Sequence, residues 1–251
     1  MAKSCVIIPA RYNSSRFPGK PLIKLLNKSM ILWVAEISAI AVGKENVFVA
    51  TDDNRIKEEV NNYGYKSLMT SPKHLTGTDR IAEAASLIDY DIYINVQGDE
   101  PLIDPKDIKK CIAIKKEKRD AIINGYCWMD EKEDPNNINI PKVATTHDDR
   151  LIYMSRNAVP GFKDVSNKPT RYKKQVCIYG FNKEQLNKFS KYKNKTDVEE
   201  SEDIEILRFL DLNEEIYMFE CKPGSLAVDV PSDVHKVEYE LKKLNNENSR
   251  L

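Results

Sequence analysis

Cationic side chains follow the first apolar run of the chain at short intervals. The stretch VIIPARYNSSRFPGKPL (6–22) places Arg11, Arg16 and Lys20 among small residues, directly after a run typical of a buried parallel strand. Residues 1–35 contain six cationic side chains and no acidic one, whereas the whole chain has 39 basic and 39 acidic residues. At the carboxyl edge of a parallel sheet, such a loop can wrap a polyphosphate with N–H groups and cations. Composition leaves a merely solvated basic loop open as the alternative, and the loop matches neither a Walker loop nor G-x-G-x-x-G.

Two aspartates each follow a short apolar run. Asp99 lies in NVQGDEPLI (95–103) and Asp229 in AVDVPSDV (227–234). Carboxylates at neighbouring strand ends can hold Mg²⁺ against phosphate oxygens, because Mg²⁺ prefers one or two carboxylates together with phosphate and water. The alternatives are a Gly-Asp turn for Asp99 and a helix N-cap before Pro231 for Asp229. The pair predicts a magnesium site for phosphoryl transfer if both aspartates reach one edge of a sheet.

Further polar residues sit at predicted element ends. In TGTDRIAEA (76–84), Arg80 falls in the first turn of a predicted helix, where a cation opposes the helix dipole. It therefore needs a partner, for which Asp79 or a ligand are the options. Arg156 in YMSR and Tyr179 in CIYGF each end an apolar run, which aims them either into a cleft or at the surface.

The element pattern that must position these residues is an alternation of strands and helices. Strands are predicted at 5–9, 46–50, 65–69 and 91–96, and helices at 30–42, 53–62, 78–88 and 105–118. This alternation predicts a three-layer α/β sheet. After Arg119, strand-like runs follow without helices between them, which predicts an antiparallel insertion over about 120–190 within a single domain 1–251. A helix at 196–212, strands at IYMFEC and LAVDV, and a terminal helix opened by Pro231 complete the prediction.

Bulk composition limits the possible function classes. A net charge of zero does not favour general nucleic-acid binding, and no apolar run reaches the length of a membrane span or signal peptide. The five cysteines are widely separated, without a C-x-x-C pair, and the three histidines are scattered. A zinc site is therefore not expected, and the free thiols favour a reducing cytoplasm.

The motifs together resemble a known family. IIPARYNSSRFPGKPL, TGTDR, NVQGDEP, YMSR, IYGF and SLAVDVPSDV occur in the order and spacing found in the 3-deoxy-manno-octulosonate (KDO) cytidylyltransferase family, and the likeness covers nearly the full length. The chain is similar, more distantly, to the CMP-sialic acid synthetases. The resemblance implies a Rossmann-like three-layer nucleotidyltransferase fold with a mainly antiparallel dimerisation sub-domain, a cytoplasmic homodimer, and Mg²⁺ as cofactor. The implied reaction joins CMP from CTP to a sugar acid and releases pyrophosphate, for surface polysaccharide or lipopolysaccharide synthesis.

The resemblance also implies roles for individual residues. Arg11 and Lys20 match triphosphate-binding and catalytic positions, Arg16 lies in the same loop, and Asp99 and Asp229 match the metal-binding, catalytic aspartates. Ala10 and Ser14 match further contacts to the nucleotide, and Thr78 and Arg80 match positions near the cytidine. The family positions that face the sugar acid correspond to Gln97, Arg156, Gln175, Tyr179 and Glu205.

The departures from the family pattern lie in the half expected to contact the sugar. Gln175 replaces a histidine, Ile206 replaces a glutamine in the helix motif IEILR, and DPNNINIPKV differs from the usual stretch. Because the lost groups make hydrogen bonds, the changes point either to a related keto-deoxy or amino sugar acid or to drift within a KDO enzyme. Spacing also leaves open which of Glu199, Glu202 and Glu205 faces the substrate.

Three other functions remain as rivals. They are a nucleotidyltransferase for a non-sugar acceptor, a catalytically inactive nucleotide-binding homologue, and a purely structural dimer module. The retained Arg11, Lys20, Asp99 and Asp229 argue against the inactive homologue, and the ordered charged motifs argue against the structural module. The positive loop is expected to find its counter-charge in a ligand rather than in the protein.

Overall fold

A mixed nine-stranded sheet with helices on both faces positions the candidate residues. The structure is a computed structural model that describes residues 2–13, 17–224, 226–228 and 230–248. The strands are β1 Ser4–Ala10, β2 Lys24–Leu25, β3 Lys28–Ser29, β4 Val47–Thr51, β5 Lys66–Met69, β6 Ile92–Val96, β7 Ile122–Trp128, β8 Lys142–Thr145, β9 Leu151–Ser155, β10 Lys173–Phe181 and β11 Ile216–Glu220. The helices are α1 Met30–Val42, α2 Asn54–Asn62, α3 Gly77–Ser86, α4 Pro105–Glu117, α5 Lys183–Lys191, α6 Asp197–Glu202, α7 Leu207–Asp211 and α8 Asp233–Asn248.

The strand order brings three parallel strand ends to one edge. The central path runs β11-β7-β10-β6-β1-β4-β5, and β2 and β3 form a separate hairpin. Strand β1 pairs in parallel with β4 and β6, so the carboxyl ends of all three meet at the same edge. Strand β10 runs antiparallel to both β6 and β7. The predicted three-layer α/β fold is confirmed, and the predicted clustering of strand-end residues follows from this topology.

Two apolar layers bury the sheet. Strands β1, β4 and β6 are buried along most of their length, as their continuous apolar runs predict. Helices α1, α2 and α4 pack in one core cluster, and α3, α5 and α7 pack in the other. Alternating residues of each strand therefore serve opposite layers, which holds the strand ends rigidly between them.

Three predictions for the second half of the chain were wrong. The predicted helix 196–212 is split into α6 and α7 by Asp203, whose φ of 49° lies in the left-handed region. Helix α5 was not predicted at all, although Asn182 and Gln185 form a capping box at its start. Residues 226–228 of LAVDV are not in a strand.

The predicted antiparallel insertion is largely part of the central sheet. Strands β7 and β10 lie between β11 and β6, and only β8 and β9 leave the central path. The role of residues 120–190 as a dimerisation sub-domain stays a prediction.

None of the helices among the described residues is long and apolar enough to cross a membrane.

Candidate functional site

A cleft of about 310 Å³ opens at the carboxyl ends of β1 and β6. Most of the residues predicted from the sequence line it together: Ala10, Arg11, Lys20, Arg80, Gln97, Asp99, Arg156 and Glu205. It also contains Glu199, which the sequence left open, and residues that were not predicted as ligands: His74, Leu75, Gly77, Lys195 and Asp203. We call Ala10, Arg11, Lys20 and Asp99 the strand-end side, and Arg156, Glu199, Asp203 and Glu205 the helix side.

The strand-end side depends on a close approach between two chain segments. Strand β1 ends at Ala10, and Gln97-Gly98-Asp99 follow β6. A Cβ atom on Gly98 would lie 2.9 Å from the backbone oxygen of Pro9, a separation that van der Waals contact does not allow. Glycine at position 98 therefore lets the two segments meet, and this sets the position of Asp99 relative to Ala10.

Lys20 and Asp99 form an ion pair across this side of the cleft. Lys20 Nζ lies 2.5 Å from Asp99 Oδ2, and the side chains are 15% and 26% exposed. Gly19, with φ of 72°, starts the 3₁₀ turn Lys20–Leu22 and thereby turns Lys20 into the cleft. The expectation that the basic loop has no counter-charge in the protein was wrong for Lys20, since Asp99 provides one. Arg11 is exposed and makes no hydrogen bond or ion pair with other described residues.

Three predicted site residues lie outside the described residues: Ser14, Arg16 and Asp229. The residue before Asp229 is held against the site, because the N–H of Val228 donates to the backbone oxygen of Asp99 at 3.0 Å.

The amino end of α3 binds a carboxylate of the protein itself. Glu205 accepts hydrogen bonds from the N–H groups of Gly77 (3.0 Å) and Thr78 (2.8 Å) and from Thr78 Oγ1 (2.6 Å). These donors and the helix dipole favour the ionised form. Burial nevertheless raises the pKa of the Glu205 carboxyl above its usual value. Thr78 is buried beneath Glu205 and does not line the cleft.

Arg80 has a protein partner, but a different one from the predicted Asp79. Its guanidinium donates to Thr70 Oγ1 at 2.5 Å and to Asp52 Oδ2 at 3.1 Å. Asp79 instead caps α3 by accepting hydrogen bonds from Thr76. The sequence correctly indicated that a cation in the first turn needs compensation, and the compensation comes from the end of β4.

Arg208 is the central residue that the sequence did not reveal. Its guanidinium is fully buried and binds both oxygens of Glu199 at 2.6 and 2.8 Å and Asp79 Oδ1 at 2.9 Å. The ring of Phe189 lies 3.8 Å from the guanidinium carbon. An arginine within the apolar stripe of residues 204–210 was the available signal, because a buried arginine requires paired carboxylates.

Arg156 links the end of β9 to the segment between α6 and α7. It donates to the backbone oxygens of Glu202 (2.5 Å), Asp203 (2.9 Å) and Ile138 (2.8 Å). Glu202 accepts from Ser155 Oγ and from the N–H of Arg156, and so it faces β9. Of the three glutamates left open by the sequence, Glu199 and Glu205 line the cleft and Glu202 does not.

Gln175 and Tyr179 lie on β10 beside the cleft and are not among its lining residues. Gln175 Nε2 donates to Asn124 Oδ1 at 3.1 Å and to Tyr179 Oη at 3.2 Å. Burial raises the pKa of Tyr179 well above its usual value. The bulge between these residues reaches the cleft through its backbone, since the N–H of Gln97 donates to Cys177 O at 3.4 Å. Ile206 is buried in the core, where a glutamine would lack the same apolar fit.

The described residues offer few ligands for a metal ion. They contain no group of three or more His, Cys, Asp or Glu side chains arranged to hold a metal. Asp99 presents a partly exposed carboxylate in the cleft. This donor suits Mg²⁺, which retains several waters and takes few protein ligands, better than it suits zinc.

The comparisons with known proteins agree on one family. The family model for cytidylyltransferases matches residues 5–216. The 8-amino-3,8-dideoxy-manno-octulosonate cytidylyltransferase of Shewanella frigidimarina is 37% identical over 247 residues, covering 95% of this chain and 98% of the relative. The 3-deoxy-manno-octulosonate cytidylyltransferase of Escherichia coli is 35% identical over 240 residues, covering 94% of this chain and 95% of the relative.

A solved structure shows the same architecture. The structure of CMP:2-keto-3-deoxy-manno-octonic acid synthetase complexed with CTP superposes with a TM-score of 0.89 at 33% sequence identity. The match covers 96% of this chain and 99% of that one.

Proposed function

The chain belongs to the cytidylyltransferase family, and we propose that it transfers CMP from CTP to the anomeric hydroxyl of a 3-deoxy-2-keto sugar acid, with release of pyrophosphate. The observation that carries this proposal is the cleft itself, where Arg11, Lys20 and Asp99 meet at parallel strand ends opposite Glu205 and Arg156. One side of the cleft offers charge for a triphosphate, and the other offers hydrogen-bonding groups for a polyhydroxy acid.

The residues of the strand-end side serve the nucleotide in this proposal. Arg11 and Lys20 bind the triphosphate together with Ser14 and Arg16 of the same loop, and Thr78 and Arg80 belong to the cytidine side. The anomeric hydroxyl oxygen attacks the α-phosphorus and gives up its proton to water, the bond from that phosphorus to the bridging β-phosphate oxygen breaks, and pyrophosphate takes the electron pair. Lys20 and Arg11 stabilise the charge that develops on this leaving group. Positioning and charge stabilisation suffice, so no covalent enzyme intermediate is needed.

Mg²⁺ is proposed as the cofactor, with Asp99 and Asp229 as its protein ligands. Support comes from the partly exposed Asp99 carboxylate and from the bond between Val228 and Asp99, which ties the segment before Asp229 to the loop. Bound Mg²⁺ would supply positive charge that acidifies the attacking hydroxyl and neutralises phosphate oxygens. Asp99 would hold the metal with the carboxylate that now binds Lys20, and Lys20 would bind phosphate oxygens of the nucleotide.

The acceptor is proposed to be KDO or its 8-amino analogue, bound by Gln97, Arg156 and Glu205 in the cleft, with the predicted Gln175 and Tyr179 beside the cleft on β10. Relatives with each printed specificity match this chain at comparable identity. Gln175 and Ile206 are the positions in this region that depart from the family pattern. A cytidylyltransferase for a different sugar acid or a non-sugar acceptor is the second candidate, favoured by those two departures.

A cytoplasmic homodimer that serves surface polysaccharide, capsule or lipopolysaccharide synthesis completes the proposal. The pairing surface is proposed to include β9, which pairs only with β8 among the described strands. Ile152 on β9 is 57% exposed and Val165 in the following loop is 82% exposed. A second copy covering these side chains would remove them from water.

The test is pyrophosphate release from CTP in the presence of Mg²⁺ and a panel of acceptors. The panel should contain KDO, 8-amino-KDO, a nine-carbon keto-deoxy acid and a non-sugar 2-hydroxy acid. We expect turnover with at least one eight-carbon acid, loss of turnover on chelation, and a dimeric mass by light scattering. Turnover with the non-sugar acid alone would support the second candidate and exclude the first.

A further inference from the structure

The two ends of the basic loop meet at a single aromatic ring. The N–H of Gly19 donates to the backbone oxygen of Tyr12 at 2.8 Å, which closes the loop. A Cβ atom on Gly19 would lie 3.2 Å from the Tyr12 ring, so the ring packs directly against the Gly19 backbone. Arg11 and Lys20 are the chain neighbours of these two residues. The Tyr12 ring and the Gly19 backbone that it packs against are therefore each one residue from a cation of the cleft.

Arg55 of helix α2 packs on the ring of Tyr12. The guanidinium carbon of Arg55 lies 3.3 Å from the centroid of the Tyr12 ring. Asp53 fixes the guanidinium, because Arg55 Nε and Nη2 donate to its two oxygens at 2.9 and 2.6 Å. Asp53 is itself held at the start of α2, where it accepts from the N–H of Arg55 at 2.9 Å. The arrangement is a stack of Gly19, Tyr12, Arg55 and Asp53.

We propose that Tyr12 and Arg55 are positioning residues for the triphosphate, because the stack fixes Arg11 and Lys20 at a set separation. This inference takes the identity of the ligand, a nucleoside triphosphate, from the proposed function; the stack itself does not depend on that function. Neither Tyr12 nor Arg55 lines the cleft, so both act through the neighbouring cations and not by direct contact with the nucleotide. The planar, bidentate guanidinium suits this role better than a lysine, which cannot bind Asp53 in a fork and cover a ring at once.

The experiment compares substitutions at the two residues with matched controls. Arg55→Met keeps the aliphatic stem and removes the cation, Arg55→Lys keeps the cation without the fork, and Tyr12→Leu removes the ring. Tyr12→Phe retains the ring, and Lys57→Met removes a positive charge from the same helix. Each protein is measured in two ways: hydrogen exchange at the Gly19 amide without ligand, and separate KM values for CTP and for the sugar acid.

The expected result is weaker binding of CTP, graded among the variants, with binding of the sugar acid unaffected. Arg55→Met and Tyr12→Leu should each speed exchange at Gly19 about two- to fivefold and raise the KM for CTP by a similar factor, with the KM for the sugar acid unchanged. Arg55→Lys should recover part of both effects, whereas Tyr12→Phe and Lys57→Met should behave as the parent protein.

Two results would overturn the proposal. One is unchanged exchange at Gly19 in Arg55→Met and Tyr12→Leu. The other is a rise in both KM values together, which indicates a general loosening. If the parent protein does not use CTP at all, the proposed function fails, and the exchange measurement still decides whether the stack fixes the loop.

Discussion

The strand-end side and the helix side of the cleft satisfy their charges in different ways. On the helix side, the protein itself binds the charged groups: Glu199 accepts two hydrogen bonds from Arg208 and one from the N–H of Thr196, Glu205 accepts three, and Arg156 donates to three backbone oxygens. On the strand-end side, Arg11 has no hydrogen-bonding or ionic partner among the described residues, and Lys20 pairs with a carboxylate that is one quarter exposed. The helix side therefore already has protein partners for its charged groups, whereas the strand-end side keeps charge that a ligand can bind.

The difference is clearest where burial is complete. Glu199 and the Arg208 that binds it are both 0% exposed, and a buried charge without a partner is strongly unfavourable, so this part of the helix side folds only with its ion pair complete. A partly exposed charge keeps much of its hydration and remains available for a ligand. In the proposed function, the helix side is the frame of the cleft, and the strand-end side supplies the charge that changes partners when the nucleotide binds. Substitutions on the two sides should consequently alter different quantities.

The largest effect is expected on catalysis at the strand-end side. Asp99→Ala should lower kcat by about 10³-fold or more, because it removes a proposed metal ligand and the partner of Lys20. Circular dichroism and the unfolding midpoint should stay close to those of the parent, since Asp99 is partly exposed. Asp89→Ala, an exposed carboxylate near the opposite end of β6, is the control. Equal activity of Asp99→Ala and the parent would exclude the assigned metal role.

The second effect is expected on stability at the helix side. Arg208→Met leaves Glu199 buried without its partner and should lower the free energy of unfolding by about 3–5 kcal/mol. Lys188→Met, which breaks the exposed pair with Glu214, should cost less than about 1 kcal/mol. Urea unfolding measures both. In the fraction of Arg208→Met protein that remains folded, the KM for the sugar acid should rise and the KM for CTP should not. A rise in both KM values would contradict the assignment of the helix side to the sugar acid and of the strand-end side to the nucleotide.

Alkaline pH should lower the stability of the frame beneath both sides, because the cysteine thiols lie in both core layers. Burial raises the pKa values of all five cysteines, that of Cys127 to about 11. Above pH 9 the unfolded chain loses thiol protons that the folded chain keeps, so the unfolded state binds fewer protons and stability falls as pH rises. The expected slope is about 1.4 kcal/mol per pH unit for each thiol.

Lys115 opposes this trend in part. Burial lowers its pKa to about 8, so between about pH 8 and 10 the unfolded state holds one more proton at this position and stability gains. Denaturation midpoints measured from pH 7.5 to 10.5 should still fall, since five thiols outweigh one amine. Cys127→Ala should reduce the fall of the unfolding free energy with pH by the contribution of one thiol. An unfolding free energy that does not change up to pH 10 would refute the expectation.

The smallest effect should distinguish the acceptors. Gln175→His and Ile206→Gln restore the family's residues at the two departing positions and should change the KM ratio between KDO and 8-amino-KDO about tenfold. The KM for CTP should stay within about twofold, because neither residue lines the strand-end side. An unchanged ratio would show that these departures are neutral.

The strand-end side could be predicted because short stretches of the sequence determine it. A buried apolar run followed by a polar residue places that residue at a sheet edge, and this pattern predicted the positions of Asp99 and of the loop from Arg11 to Lys20. The topology that joins them, β1 beside β6, follows from the parallel order of the strands.

The helix side was less predictable because distant contacts decide its conformation. The apolar spacing of 204–210 favours one continuous helix, but Arg156 binds the backbone oxygens of Glu202 and Asp203 and thereby stabilises the break. Arg208 meets Glu199 and Asp79 only after folding. Likewise, the pairing of Lys20 with Asp99 joins residues far apart in the chain, and no local pattern indicates it.

Gly98 has a consequence for how this protein tolerates mutation. Even a methyl group at position 98 would meet the backbone oxygen of Pro9 at 2.9 Å, and backbone cannot move aside as a side chain can. A saturation library at this position should therefore return glycine alone, although the residue contributes no chemistry. The restriction at this position of the cleft then comes from the backbone opposite it, and sequence variation among active variants should be low where the side chain is absent.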